Sequence, residues 1–519
     1  MAVAQSASDQ QPESTVVDRR TRAPLWAVAS AAAILIVAIA VLAVRKRADA
    51  ASAGGGTTPP GPAASLSRDV TRIAVLPLVN LSGDPGQEFF SDGMTEAVIA
   101  KLARLTDARV TSRTSVMRYK ATSESVPAIG RQLGVDAVVE GSVQRAGDRV
   151  SVTVQLIHAA SDSHLWAKEF EGTTADLLGL QRRIAMAIAS DISSKVASKG
   201  FADESKRPVS AEAYDAFLRG RFFFWKSDLE PLQRAVAEFR KAIALEPAFA
   251  DAYAGLSLSL AALESFGAVE ATGEPMQAAR KAVALDDTLA EAHAALAGAE
   301  LEAWDWEASQ REYERALSLY TDSLDACYRY PMLLSAIGRH DEAAIWAARF
   351  SARNPASPGL QTFRASVLIN ARRYAEAERH LKLAMEMEPR IFVAPMVLAE
   401  LYLVTGRGDD AISVLSSSPI FARSAFLASA YAAAGRREEA LAIVKKVERT
   451  PVPRDLLPIA LVYFHLGDHA RGFQWLERAV QKRVSSVRFL NVHPRFDAIR
   501  ADPRFVALVR QLGLPSTSD

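Results

Sequence analysis

Between residues 69 and 200 the spacing of apolar positions changes several times, and each change marks an element. Ile73, Ala74, Val75 and Leu76 form an unbroken apolar run, the pattern of a strand buried on both faces. A Gly/Asp/Pro-rich loop follows, and residues 88–105 then place apolar side chains at helical spacing. Residues 108–119 read as a second strand region and 127–133 as a short helix. From 137 to 173 the pattern becomes alternation: Val150, Val152, Val154 and Leu156 are separated by polar neighbours, so one face is buried. Turn residues at 146–148 and 160–162 divide that stretch into a three-stranded meander. A helix over 176–197 closes the unit. The expected result is a compact α/β domain over 69–200, about 130 residues and within the usual domain range.

From about residue 208 the pattern is helical only, and it repeats. "GRHDEA" from Gly338, "GRGDDA" from Gly406 and "GRREEA" from Gly435 are one phrase, with "ARRYAEA" from Ala371 as a variant. Ala343, Ala377 and Ala411 lie 34 residues apart each time. Pro247, Asp287, Thr321, Pro355 and Pro389 mark helix ends at intervals of 40, 34, 34 and 34, the long one carrying an insertion at 264–275. Helix pairs at this period make the tetratricopeptide arrangement, an all-α solenoid. Gly ends the first helix of a pair, and an acidic residue suits the start of the second. About eight pairs fit between 208 and 483, with a kink expected at Pro331. Residues 484–519 are expected to cap the open end of the array.

The amino-terminal end has another character. Residues 1–22 are a short polar tail. Residues 25–44 contain no charge and are long enough to cross a hydrocarbon core of about 30 Å. Trp26 stands at one end, and Arg45, Lys46 and Arg47 at the other, giving a transmembrane helix with a basic flank over 23–47. A cleaved signal peptide has a shorter apolar run, and here the basic cluster precedes the "ASA" at 51–53, so an uncleaved anchor is expected. Residues 48–68 form a flexible Gly/Pro/Ser linker. Arg19, Arg20 and Arg22 balance the basic cluster across the span. The short tail is the cheaper segment to retain, which puts the bulk of the chain outside the cytoplasm.

Charge and cysteine content narrow the function classes. The chain has 61 Lys plus Arg and 60 Asp plus Glu, so no global field draws it to nucleic acid. Its one cysteine, Cys327, can form neither an intramolecular disulfide nor a cysteine-based zinc site, and it reads as core packing.

Candidate chemistry is sparse. The strand, glycine loop and helix at 73–105 resemble the start of a phosphate-binding unit, but no Lys follows Gly83, and Gly83, Gly86 and Gly93 lack the dinucleotide spacing. Asp84 and Glu88 would also repel phosphate, so the loop reads as a turn. His465 and His469 are four apart, but Gly467 and Asp468 between them mark a helix-to-helix turn. No catalytic, cofactor-binding or metal-ligating residue is expected. The cluster "RGRFFFWK" at 219–226 is the one aromatic feature beside basic residues. Phe222, Phe223, Phe224 and Trp225 are therefore candidate partner anchors, against the alternative of a joint between the two domains.

Four blocks in order carry a resemblance: "IAVLPLVNLSGDPGQEFFSDGMTEAVIAKLARL" from Ile73, "VTSRTSVMRYK" from Val110, "IGRQLGVDAVVEGSVQRAGDRVSVTVQLI" from Ile129 and "HLWAKEFEG" from His164. Together with the helical repeats and "HPRFDAIRADPRFVALVRQLGLP" from His493, they make the chain similar to bacterial proteins that join a TolB amino-terminal-like domain to a tetratricopeptide array. Members often carry a winged-helix, kinase or cyclase domain before the membrane segment, where this chain has 22 residues. The resemblance implies an envelope setting. The expected function is that of a non-enzymatic, membrane-anchored interaction scaffold or sensory module. Its partner proteins would bind the concave face of the solenoid. The alternative is a regulatory partner of a separately encoded kinase, cyclase or transcription factor.

Overall fold

A computed structural model of the chain describes residues 70–192, 209–226, 229–265, 272–321, 323–389, 391, 393–417, 421 and 424–514. The expected membrane span at 25–44 and the linker after it lie outside these residues. Among the described residues no helix is long and apolar enough to cross a membrane.

The apolar run at residue 73 becomes β1 (Arg72–Val75), followed by β2 (Val79–Asn80), α1 (Glu88–Leu105), β3 (Arg109–Val110) and α2 (Val126–Leu133). Then come β4 (Ala137–Ala146), β5 (Arg149–His158), β6 (Ser163–Thr173) and α3 (Leu177–Ile192). The sheet runs β3-β1-β4-β5-β6, with β2 also paired to β4. β1 is parallel to β3 and β4, and the β4-β5-β6 meander is antiparallel. Alternation along β5 buries Val150, Val152, Val154 and Leu156 in one core with Met94 and Leu102 of α1 and Leu180 and Ile184 of α3. β4 has a tight point at Gly141: a Cβ there would lie 2.1 Å from the Thr153 carbonyl oxygen and 2.9 Å from Leu78. The crossing of residues 76–78 from β1 to β2 therefore needs the glycine.

The strand region expected at 108–119 is mostly not strand. Only Arg109–Val110 pairs with β1, and helical turns at Arg113–Val116 and Met117–Tyr119 follow. Val110, Thr111 and Val116 favour a strand locally, but the Ser112 amide donates to Asn354 Oδ1 of the helical region at 3.0 Å. Docking against the second domain overrides the local preference.

The helical region consists of eight pairs among the described residues. They are α4 (Ala211–Phe224) with α5 (Leu229–Leu245), α6 (Ala250–Ser265) with α7 (Glu274–Leu285), and α8 (Ala290–Ala303) with α9 (Trp306–Leu319). Next come α10 (Leu324–Ala336) with α11 (His340–Arg353), and α12 (Pro358–Asn370) with α13 (Tyr374–Met387). The last three are α14 (Val393–Val404) with α15 (Gly408–Ser416), α16 (Ala425–Ala433) with α17 (Arg437–Val447), and α18 (Leu456–His465) with α19 (His469–Gln481). Successive first helices pack on one another, whereas successive second helices make at most marginal contact. A row whose members touch lies on the inside of a curve, so the first helices form the inner face. α10 runs unbroken through Pro331.

The repeated phrase has a physical reading. Gly338, Gly406, Gly435 and Gly467 all have φ between 76° and 86°. The next amide then bonds back to the carbonyl five residues earlier, as Arg339 N does to Leu334 O (2.8 Å) and Arg407 N to Tyr402 O (2.7 Å). The Arg that follows Gly338 and Gly406 clasps an acid three residues on: Arg339 with Glu342, Arg407 with Asp410. Two turns keep this geometry without glycine: Trp304 (φ 65°) and Arg372 (φ 62°), the latter in the variant phrase.

Candidate functional site: the inner face of the helical array

The two turns without glycine point to what occupies the inner face. Left-handed backbone costs a non-glycine residue roughly 1–2 kcal/mol, so a side chain retained there has a use. Arg372 reaches Asp497 (2.9 Å), and Arg483, just past α19, stacks 4.4 Å from the Trp304 ring centroid. Pair eight thus meets pair three. The segment after it lies against the first helices: Arg488 bonds Glu302 at the end of α8 (2.7 Å), and Arg495 pairs with Glu400 on α14. Farther along, in α20 (Pro503–Gln511) and just beyond, Arg504 covers the Phe473 ring and Leu512 O accepts from Trp306 Nε1 at 2.9 Å.

This arrangement corrects the expectation of a cap on the open end. Val487, Leu490, Phe496, Ile499, Phe505, Leu508, Leu512 and Leu514 are all buried in one core with pairs three to eight. A sequence gives the apolar spacing of such a segment but not the superhelical pitch that brings pair eight back to pair three. At about 1.5–3 kcal/mol per side chain, gross burial by the segment is on the order of 10–20 kcal/mol, an upper figure. A micromolar partner supplies about 8 kcal/mol, so it does not displace the segment. The concave face of pairs three to eight is therefore occupied along the side next to the first-to-second helix turns.

The opposite edge of the array holds the α/β domain. Tyr214 and Leu218 of α4, with Ala242, Phe249, Ala252 and Ala356, belong to the α/β domain's core. Glu88, Asp92 and Glu96 form one stripe on α1. Lys120 Nζ bridges Glu88 (2.5 Å) and Asp92 (2.6 Å), while Arg113 lies 4.0 Å from Asp92 and 3.6 Å from Glu96. Burial pulls the Arg113 guanidinium down to about 10 against the opposing pull of Asp92. Arg221 pairs with Glu96, and Trp225 Nε1 donates to Glu96 Oε2 at 3.3 Å. The structure divides the aromatic cluster between this joint and the first helix pairs. Trp225 lies beneath Arg113 and Arg221, Phe222 packs against the α/β core, and Phe223 and Phe224 pack within pairs one and two.

Near the same joint, Asp251 and Glu291 start α6 and α8. Burial, and then repulsion from Glu291, pushes the Asp251 carboxyl up to about 6, with Arg104 and Arg221 opposing. A folded pKa above the unfolded value means that ionised Asp251 costs stability above pH 6 and that the cost fades as pH falls toward 4. Asp251→Asn should therefore be more stable than the native protein at pH 7.5, by on the order of 2 kcal/mol. Thermal melts from pH 7.5 to 4.5 should show that gap closing. A constant or widening gap would contradict the assignment.

The other sequence candidates are accounted for locally. In the glycine loop, Asp84 Oδ1 accepts from the Gly86 amide at 2.8 Å, and Asn80 Nδ2 donates to the Asp84 carbonyl and to Glu88. His465 ends α18 and His469 begins α19. Among the described residues no group of His, Cys, Asp and Glu could hold a metal ion. Cys327 is buried on α10.

Between the α/β domain and the carboxy-terminal segment a strip of the inner face is left. Tyr328 and Phe363 meet edge to face at 4.8 Å. Met332 and Met396 are partly buried beside the core, and Val393 is 37% exposed. These side chains come from α10, α12 and α14. Of these residues only Tyr328 and Met396 share a register position, with Thr362 between them, so the repeat itself does not mark the strip.

Residues 69–187 match the family model of the HilA/YgeH-like transcriptional regulator, second domain. That description differs from the TolB-like one expected from the same residues. A Rhizobium meliloti (strain 1021) protein, provisionally named adenylate cyclase 3, is 34% identical over 195 residues, 37% of this chain. The chain spans about a third of that relative's length, 33%. Among solved structures, the human IFIT1 dimer with m7Gppp-AAAA is 16% identical, with TM-score 0.39, over 53% of this chain and 73% of that one. A tetratricopeptide repeat protein from Parabacteroides merdae ATCC 43184 is 18% identical, with TM-score 0.36, over 49% and 99%. Identities and scores at this level carry no activity from one chain to another.

Proposed function

We propose that this chain is a non-enzymatic interaction scaffold or sensory module whose partner protein docks on the free strip of the inner face. The observation that carries the reading is the Tyr328–Phe363 pair on neighbouring first helices, with half-buried Met332 and Met396 and exposed Val393 on the same row of helices. It lies on the face of helix-pair arrays that is suited to extended binding. Aromatic and methionine side chains supply contact area that adapts to a partner. Crosslinked capture from membranes with the full chain should retain a protein that Phe363→Glu loses by at least about tenfold, a change of roughly 1.4 kcal/mol. An unchanged set of captured proteins would remove the strip from consideration. A captured kinase, cyclase or transcription factor would select the regulatory alternative, in which this chain serves a separately encoded enzyme. The cyclase-named relative supports no cyclase activity for this chain itself.

The proposal includes anchoring through residues 25–44, with the domains outside the cytoplasm. Alkaline phosphatase fused after Asp519 should then be active, because it matures only where disulfides form. An inactive fusion, with a cytoplasmic fluorescent reporter bright in its place, would reverse the topology.

A further inference from the structure

The 34-residue register places Tyr330, Arg364 and Leu398 at equivalent points of α10, α12 and α14. Tyr330 and Leu398 are each 3% exposed. Arg364 breaks the apolar rule at a position that its neighbours use for packing. Its Nη1 donates to Ser351 Oγ of α11 at 3.0 Å, and its Nε is buried and has no partner among the described residues. It has no ion pair among them either. It lines an open groove of about 380 Å³ with Asp341, Ala344, Ile345 and Ala348 of α11, Leu368 of α12, and Arg373. Ile345 is 67% exposed, the most exposed of the large apolar side chains among the described residues. Arg373 is held bidentately by Glu376 (2.7 and 2.8 Å). Burial opposes the Arg364 charge most; Glu376 supports it without forming an ion pair, while Arg373 and Arg379 push against it. A cation at a position its repeats fill with apolar side chains, with no ion pair and beside an exposed aliphatic side chain, is the kind of local rule-breaking expected at a functional position.

We propose that this groove, separate from the inner strip, docks an acidic segment of a partner protein, with a carboxylate on Arg364 and a neighbouring aliphatic side chain on Ile345. The charge complementarity is specific: the carboxylate answers the groove guanidinium that forms no ion pair among the described residues, while the Asp341 charge acts on Arg373.

The test uses the full chain and two labelled peptides, acetyl-Leu-Glu-Leu-Glu-Leu and its Gln counterpart, read by fluorescence anisotropy. The acidic peptide should bind at least about tenfold more tightly than the Gln peptide. Arg364→Leu should abolish that preference, and Ile345→Ser should weaken both peptides. Because Leu suits the register position, Arg364→Leu should also keep or raise Tm, by about 2–4 °C. A fall in Tm would make Arg364 a structural residue and overturn the proposal. Equal binding of the two peptides, no binding of either, or a preference that survives both Arg364→Leu and Arg364→Gln would overturn it too.

Discussion

A chain ending at Val484 should lose the cooperative melt of pairs three to eight. Truncation there removes Phe496, Phe505, Leu508 and their neighbours from the core and leaves the facing side chains of the first helices bare. It also removes Arg488, Arg495 and Asp497, leaving Glu302, Glu400 and Arg372 without those partners. The single substitution Phe496→Ala should already cost about 3–5 kcal/mol, the range for a buried aromatic residue. Circular dichroism should show helices that melt early and broadly, and a hydrophobic dye should bind the truncated chain. A truncated chain with an unchanged melt would show that the segment only rests on the array. Arg372→Gly makes a sharper contrast: it relieves backbone strain but breaks the Asp497 pair, so its net effect should be small.

The second large effect is expected at the joint. Arg113→Met leaves Asp92 and Glu96 buried on one stripe of α1, with Lys120 and Arg221 as their remaining cations. Removing one member of a buried charge cluster costs about 3–5 kcal/mol when the opposite charge stays behind, and the lower end applies because two cations remain. The loss should fall on the docking of the two domains. Limited proteolysis should therefore release the α/β domain from Arg113→Met while both parts keep their secondary structure. Adding Glu96→Gln should deepen the loss, because Arg221 then loses its carboxylate as well. An Arg113→Met protein as protease-resistant as the native chain would mean that apolar packing around Leu218 and Phe249 alone holds the joint.

The amino-acid sequence determined the local elements and the repeat. Alternation at Val150, Val152, Val154 and Leu156 is enough for a half-buried strand, because side chains on a strand alternate faces whatever surrounds them. The Gly338, Gly406 and Gly435 phrases were legible because a left-handed turn followed by an acidic helix start is a local requirement. The same register already carried the exceptions at Trp304, Arg372 and Arg364. Their meaning was not legible, since each depends on a residue far away in the chain. Only the tertiary structure decided that residues 109–119 leave the sheet early, because Asn354 claims the Ser112 amide. Only it decided that Phe222 and Trp225 lie in the joint while Phe223 and Phe224 pack within the first pairs, and that the carboxy-terminal segment fills the inner face rather than capping an end. Superhelical pitch is the physical reason. It sums small angles over six helix pairs until Arg483 meets Trp304, and no single window of sequence holds that sum.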